Sequence, residues 1–533
     1  MNVTSHAAGG TAGSTPDAPL DLLIVGAGIS GIDLAHHVSE NFPGWEWEIH
    51  DVHSDLGGTW HTFRYPGIRS DSDMATFGFP FRAWPHASTL GKGPEIKEYI
   101  RDTAREAGAL ERLHFRSWIA RIDWDTGREL HRVTALRDTS PEGAEQREER
   151  IIWARRVHLG AGYYRHEDGY RPVFPGEEDF AGEILHPQQW PEGKDCTGKK
   201  VVVIGSGATA VTLVPALESE GVDVTMLQRT PTYIGPLPEK DRISAVWNAL
   251  LPDLAAHKAA RFSHGVRDIG QFVIAQRVPW LFKAVLRLMQ RRYVSAEVLD
   301  EHFSPDYRPW DQRVCKAPDG DIFQAIARGA KVVTDKIDRF TPTGIRLRSG
   351  KELEADIIVT ATGLDLQAFG GAQIAIDGED VDVTKTVAYR GMMLGGIPNV
   401  SFTIGYVNAS WTLRADMVSR YMVKLWKTGV RTYVPIPPVG TFERPMLDLD
   451  AGYVRRGAAY LPRQGEHHPW RYDQNYLLEI PTLEFGDQRR DMAFDADVAS
   501  HLAPTAPAPE PGAVAPALTP AHDVPASALA ERP

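Results

Sequence analysis

An α/β architecture built from two dinucleotide-binding units is predicted by three features of the chain. The first is a short apolar run at residues 21–25 that leads directly into Gly26-x-Gly28-x-x-Gly31. The second is the return of that arrangement at residues 199–204, which lead into Gly205-x-Gly207-x-x-Ala210. The third is a helical, locally basic stretch at about residues 238–305, which reads as an insertion in the second unit. Apolar strands feeding glycine turns that open helices are the pattern of a Rossmann-like parallel sheet buried on both faces. A chain of 533 residues also exceeds one ordinary core, so two or more domains are expected on size alone.

Composition narrows the class. With 42% hydrophobic and 24% charged residues, the chain has enough apolar surface to bury real cores. A net charge of −12 argues against a general nucleic-acid binder, which needs clustered Lys and Arg against the phosphate backbone. The only cysteines, Cys196 and Cys315, exclude a disulfide scaffold and a four-Cys zinc site, and no metal centre is expected. No apolar run approaches a membrane span, and the first residues lack a basic-then-apolar signal pattern. The expectation is a cytoplasmic enzyme.

In the first unit, residues 21–25 read as a buried strand, 32–40 as a helix and 45–50 as a second strand ending at Asp51. Each residue type has a task. Gly26 allows the tight turn, Gly28 lets the backbone approach a pyrophosphate, and Gly31 lets helix and strand pack closely. The helix N-terminus offers unpaired N–H groups to the phosphates. Asp51, 25 residues after Gly26, suits the two hydroxyls of an adenosine ribose.

The second unit repeats this design with one informative change. Ala210 takes the third glycine's place, which the fingerprint tolerates, and the following strand, residues 222–228, ends at Arg229 rather than at an acid. A guanidinium suits a 2′-phosphate where a carboxylate would take a free ribose. The two sites therefore predict different ligands, FAD first and NADPH second, with Arg229 and Thr230 gripping the phosphate.

Two further stretches carry a resemblance. Residues 57–71 contain Gly57, Gly58, Thr59 and Trp60, a close-approach turn with a flat aromatic wall, then the turn Tyr65-Pro66-Gly67 and Asp71. Between the two glycine turns lies Phe180-x-Gly182-x3-His186-x3-Trp190-Pro191, a candidate join bearing a His and a Trp between moving domains. In this setting the pattern resembles the fingerprint of class B flavin monooxygenases, in particular type I Baeyer–Villiger monooxygenases. Ser70-Asp71-Ser72-Asp73-Met74 brings the resemblance nearest to their ethionamide-activating branch. It covers about residues 20–495.

The resemblance implies FAD and NADPH as cofactors and insertion of one atom of O2 beside a ketone carbonyl, through a C4a-peroxyflavin, to give an ester or lactone. It makes Arg313, in the loop opened by Trp310, the catalytic arginine, and Asp71 the carboxylate that pairs with it. Ile119 joins the residues expected around the first cofactor. Many relatives carry Lys immediately before that arginine; Gln312 stands here, so the preference for NADPH leans on Arg229 and Thr230. Ala361-Thr-Gly363 is expected to cross back between domains, and residues 399–416 to return to the flavin unit, with Gly405 close to the cofactor and Trp411 in the core or the substrate wall. The predicted division is an FAD domain at 19–165 and 390–500, an NADPH domain at 166–389, and disordered tails at 1–18 and 501–533.

Oxidation of sulfides, thioamides or amines is the alternative within oxygenation, and the Arg313–Asp71 pair favours carbonyl chemistry over it. A dithiol reductase would need a local cysteine pair, which Cys196 and Cys315 do not form. A flavin-dependent sensor would turn over slowly with every substrate. Within residues 258–292 there are eight Lys or Arg and a single acid, Asp268. That segment reads as a helical insert with a solvated basic face, rather than as one that touches an anionic membrane surface or attracts NADPH.

Overall fold

A computed structural model of the chain describes residues 14–139, 147–311, 314–447 and 452–504. In the first unit β1 (Leu22–Val25) pairs in parallel with β2 (Trp47–His50) and with the strand Val157–Leu159. Between β1 and β2 runs α1 (Ile29–Asn41). The sheet has seven strands, and β1 lies inside it with every side chain buried, which is why its sequence is continuously apolar rather than alternating. A second, five-stranded sheet packs Ser117–Asp125, Leu130–Asp138 and Arg147–Ala154 beside Gln373–Ile376.

The second unit is a five-stranded parallel sheet with β3 (Lys200–Ile204) at its centre. β3 leads through Gly205 into α2 (Ala208–Ser219) and on to β4 (Asp223–Gln228). On the other side of β3 lie Ile357–Thr360 and, at the edge, Glu183–Leu185. The apolar run at 354–360, which by itself reads as one strand, is divided between two elements: Glu352–Glu354 belongs to a three-stranded antiparallel sheet, and Ile357–Thr360, beyond Ala355 and Asp356, enters the parallel one.

The insertion is helical, as expected. It comprises α3 (Arg242–Leu250), α4 (Asp253–Arg277) and α5 (Pro279–Gln290), followed by the short helix Ala296–His302. Asp241 caps α3, accepting from the N–H groups of Ile243 and Ser244 at 3.0 Å each. Ala256, Ala260 and His264, four residues apart, form the buried stripe of α4. Pro279 sits in the first turn of α5, where its missing N–H costs nothing. The outward faces of these helices carry the exposed basic side chains the sequence suggests, Lys258, Arg277 and Lys283 among them, but also an apolar component it does not. Val246, Leu250, Phe262, Val266, Trp280, Val285 and Leu288 all stand exposed on them.

The last long helix, α6 (Trp411–Trp426), lies against α1 and returns the chain to the first unit. Arg414 fixes its start: the fully buried guanidinium donates to Glu479 Oε2 at 3.0 Å and to the carbonyls of Arg390, Gly391 and Ile404. The return begins earlier than residue 390, because Gln373–Ile376 already pairs with Ser117–Asp125. The tails are shorter than expected. Ser14 Oγ accepts from Trp153 N at 2.8 Å, and Ala503 N donates to Gly396 O at 2.8 Å, so the chain is already tied to the folded body at Ser14 and still tied to it at Ala503. The rest of both expected tails lies outside the described residues.

Candidate active site

A cleft opens where the two glycine turns approach each other, with about 1850 Å³ of empty space including its mouth. The first unit contributes Gly26, Gly28, Asp51, Gly58, Thr59, Trp60, Asp71 and Ile119; the second contributes Ala208 and Thr209 at the start of α2, together with Lys316. Gly57 N donates to Ala27 O at 3.0 Å, which lays the Gly57–Gly58 turn against the Gly26–Gly28 turn. Gly67, at φ +77°, leaves only 2.5 Å between a notional Cβ and Thr212 O on α2, so the Tyr65–Gly67 turn presses directly on the second unit.

The glycines separate into two kinds. A Cβ on Gly31 would lie 1.9 Å from Gly26 O, and one on Gly205 (φ +138°) would lie 2.4 Å from Ala361 O. The protein's own packing demands those glycines. Gly28 and Gly207 differ. Both have extended backbone that any residue adopts, φ −79° and −77°. A Cβ on Gly28 would make ordinary contact with Gly58 at 3.6 Å, and one on Gly207 would meet nothing within 4 Å. Each caps the N-terminus of a helix, α1 or α2, and leaves it bare. Two bare helix N-termini beside one cleft fit two pyrophosphates.

Asp51 is buried at the end of β2. Its Oδ2 accepts from Ala27 N at 2.6 Å, and its Oδ1 accepts from His53 N at 2.8 Å and lies 2.8 Å from His53 Nδ1. Burial alone would raise this carboxyl, but the His53 and Ala27 contacts outweigh it and hold it below the usual range. Both carboxylate oxygens are thus held in place at the end of β2, against the glycine turn. His53 Nε2 in turn lies 3.1 Å from Thr62 Oγ1 and 3.1 Å from His166 Nδ1, a chain of groups that the sequence reading did not anticipate. Trp60 is half-buried and meets Phe77 edge-on, with centroids 5.7 Å apart, beside the cleft.

Asp71 is half-buried in the cleft wall. Arg313, its expected partner, and Gln312 lie outside the described residues. The chain following them enters the cleft wall at Cys315 and Lys316. A second acid two residues beyond Asp71 proves structurally central. Asp73 is fully buried, accepts from Thr76 N at 3.0 Å and lies 3.2 Å from Arg267, 3.4 Å from His264 and 3.9 Å from Lys316. Burial opposes its charge, but Lys316, His264 and Arg267 overcome that and hold its carboxyl below the ordinary range. Nothing in Ser70-Asp71-Ser72-Asp73 distinguishes the two acids in sequence; only the arrival of α4 does.

At the second turn, Ala210 is fully buried, while Arg229 and Thr230 are exposed at the end of β4. Arg229 forms no ion pair with another described residue. The Phe180–Pro191 stretch is less a free join than expected, because Glu183–Leu185 within it is the edge strand of the second sheet. Gly182 could carry no Cβ, which would lie 2.4 Å from Asp356 O. His186 accepts from Gln188 N at 3.2 Å, Phe180 packs edge-on to Phe340, and Pro191 is exposed. Trp190 is buried in the second unit's core together with Phe63 and Tyr65 of the first, so this one residue does sit where the units meet. Gly405 has a packing requirement of its own: a Cβ there would lie 2.4 Å from the Trp411 ring. Trp411 itself borders the cleft and donates from Nε1 to Ser30 Oγ at 2.7 Å.

The comparisons with known proteins agree with this geometry. Residues 24–101 match the model of an NAD(P)-binding Rossmann-like domain. The FAD-containing monooxygenase EthA of Mycobacterium tuberculosis strain H37Rv is 46% identical over 475 residues, 88% of this chain and 96% of that one. The chain belongs to the EthA-type FAD-containing monooxygenases. Two more distant structures share the fold. A polycyclic ketone monooxygenase from Thermothelomyces thermophila aligns over 91% of this chain and 90% of its own, with a TM-score of 0.67 and 18% identity. Cyclohexanone monooxygenase in its closed form aligns over 90% and 99%, with a TM-score of 0.65 and 19% identity. In this EthA-type monooxygenase the N-terminus of α1 at Gly28 borders the cleft with only ordinary contact, at 3.6 Å from Gly58, to a notional Cβ, which is chemistry that fits the pyrophosphate of FAD.

Proposed function

We propose that this monooxygenase uses NADPH and O2 to insert one oxygen atom beside a ketone carbonyl, releasing an ester or lactone. The supporting observation is the shared cleft: the Gly26–Gly28 turn, Trp60 and Asp71 border the same space as the first residues of α2 and Lys316, which stands three residues after Arg313. A hydride donor held at Gly207 and a flavin held at Gly28 would thus face one another across it. The ketone monooxygenases that share the fold point the same way.

Bound FAD, once reduced by NADPH, supplies the activation of O2. The chain's own residues do the rest. Arg313 provides a permanent positive charge for the oxyanion that forms when the carbonyl is attacked, a role suited to a site from which water is excluded. Asp71, in the cleft wall, is the carboxylate assigned to steady that guanidinium. Asp51 fixes the adenosine end of FAD through its ribose, and Arg229 with Thr230 selects NADPH through its 2′-phosphate.

The test is a product assay on the purified flavoprotein with NADPH, labelled O2, linear, cyclic and aryl ketones and one thioether. Esters or lactones carrying one labelled atom, lost in Arg313→Ala, are expected. Sulfoxide alone, surviving that substitution, would overturn the reading in favour of heteroatom oxidation.

A further inference from the structure

We propose that the outer face of α3, α4 and α5 docks on an anionic phospholipid leaflet. Twelve of the eighteen exposed large apolar side chains among the described residues fall between positions 246 and 288. Phe262 is 74% exposed, Trp280 70% and Leu250 68%. Apolar exposure this concentrated marks a contact surface rather than the scattered background of a soluble protein.

The exposed residues are ordered by helix geometry. On α4, Phe262, Val266 and Val273 recur on one side, whereas the buried Ala256, Ala260 and His264 lie on the other, roughly 140° round the helix at 3.6 residues per turn. On α5, Leu281, Val285 and Leu288 repeat the spacing, with Leu286 and Gln290 turned inward. Helices that need only one buried face carry polar residues on the other. These carry apolar residues on both, and α3, α4 and α5 pack in succession, α3 on α4 and α4 on α5.

Charge selects the occupant. The chain carries −12 overall, yet residues 258–292 hold eight Lys or Arg and one acid. Lys258, Arg277, Lys283, Arg291 and Arg292 are exposed and form no ion pair with a described residue. Apolar side chains flanked by uncompensated cations match the boundary between acyl chains and anionic headgroups. A second copy of the chain would set one such basic segment against another in a two-fold contact. Among the described residues no helix is long and apolar enough to cross a membrane, so the face lies on the leaflet rather than spanning it.

The experiment is flotation of the FAD-loaded protein with vesicles of phosphatidylcholine alone, or of phosphatidylcholine and phosphatidylglycerol in equal parts. The protein is expected to float with the anionic vesicles, to remain behind with the neutral ones, and to be released by salt. Phe262→Ser with Trp280→Ser, and separately Arg291→Glu with Arg292→Glu, should each lower the bound fraction on the order of tenfold while the flavin spectrum is unchanged. Because Cys196 and Cys315 are buried, an environment-sensitive dye can be placed at Leu288→Cys, with Val173→Cys, exposed on the second unit, as control. Only the first should shift to the blue on anionic vesicles. Absence of flotation with anionic vesicles, or binding that neither double variant weakens, overturns the proposal. So does conversion of an oligomer to monomer by the Phe262/Trp280 variant with vesicle binding intact, which would make the face a contact between copies.

Discussion

His37 on α1 and Asp416 on α6 meet at 2.9 Å, Nε2 to Oδ1, and bind the glycine-turn helix to the returning helix beneath the flavin turn. Asp33, one turn before His37, completes the cluster. Its Oδ2 accepts from Ser419 Oγ at 2.6 Å, and its Oδ1 is buried without a hydrogen-bond partner.

This cluster should make stability fall with rising pH. Burial, reinforced by the charge of Asp416, pushes the Asp33 carboxyl from 3.8 up to about 7. The folded state then holds a proton that the unfolded state has released, so stability drops between about pH 4 and 7 and levels off above. His37 acts in the same direction: burial opposes its charge, but Asp416 wins and raises it, so its contribution is full below about pH 6.5 and is lost as pH rises. Asp33→Asn should flatten the slope and stabilise the protein above pH 7 by on the order of 2–4 kcal/mol. Urea denaturation of both proteins across that range checks it; parallel curves would refute the assignment.

Two glycine substitutions should fail for opposite reasons. Gly31→Ala meets Gly26 O at 1.9 Å and is expected to yield no folded flavoprotein. Gly207→Ala meets nothing within 4 Å and should fold, bind FAD and melt normally, while KM for NADPH rises on the order of tenfold or more. Steady-state kinetics beside a melting curve separate the two.

Asp51→Ala should purify depleted of flavin. The substitution removes the carboxylate proposed to hold the ribose and leaves Ala27 N without its acceptor, each hydrogen bond to a charged group being worth about 1.5–3 kcal/mol. The ratio of flavin to protein absorbance reads the loss directly, and full occupancy would argue that the ribose is held elsewhere.

Arg229→Ala should weaken NADPH use with little effect on NADH. The side chain is exposed and unpaired by other described residues, so stability should hardly change. The ratio of kcat/KM for the two nucleotides is the readout; an equal loss for both would remove Arg229 from phosphate recognition.

Much of this was legible in the chain because its signals are local. A strand, a glycine turn, a helix and a terminal acid or arginine lie within about thirty consecutive residues, and the structure reproduces β1, α1, β2 and β3, α2, β4 within a few positions. What was not legible depends on partners distant in sequence. Asp73 owes its burial to α4, nearly two hundred residues away, and the requirement for Gly405 comes from the ring of Trp411 folding back over it. Likewise, the basic composition of the insert was plain, but its apolar outer stripe appears only when the inner stripe is known to be occupied.

Arg261 on α4 donates to the carbonyls of Ala75, Thr76 and Gly78 at 3.3, 2.8 and 2.7 Å, closing the end of the four-residue helix Met74–Phe77. A helix of one turn has no cooperative stability of its own. It stands because α4 terminates its carbonyls from outside while Asp73 caps its start from within. The insert is therefore an external splint on the wall that carries Trp60's neighbour Phe77. It could not be trimmed away to leave a smaller working enzyme, and any force or partner that lifts α4 is felt first at the cleft.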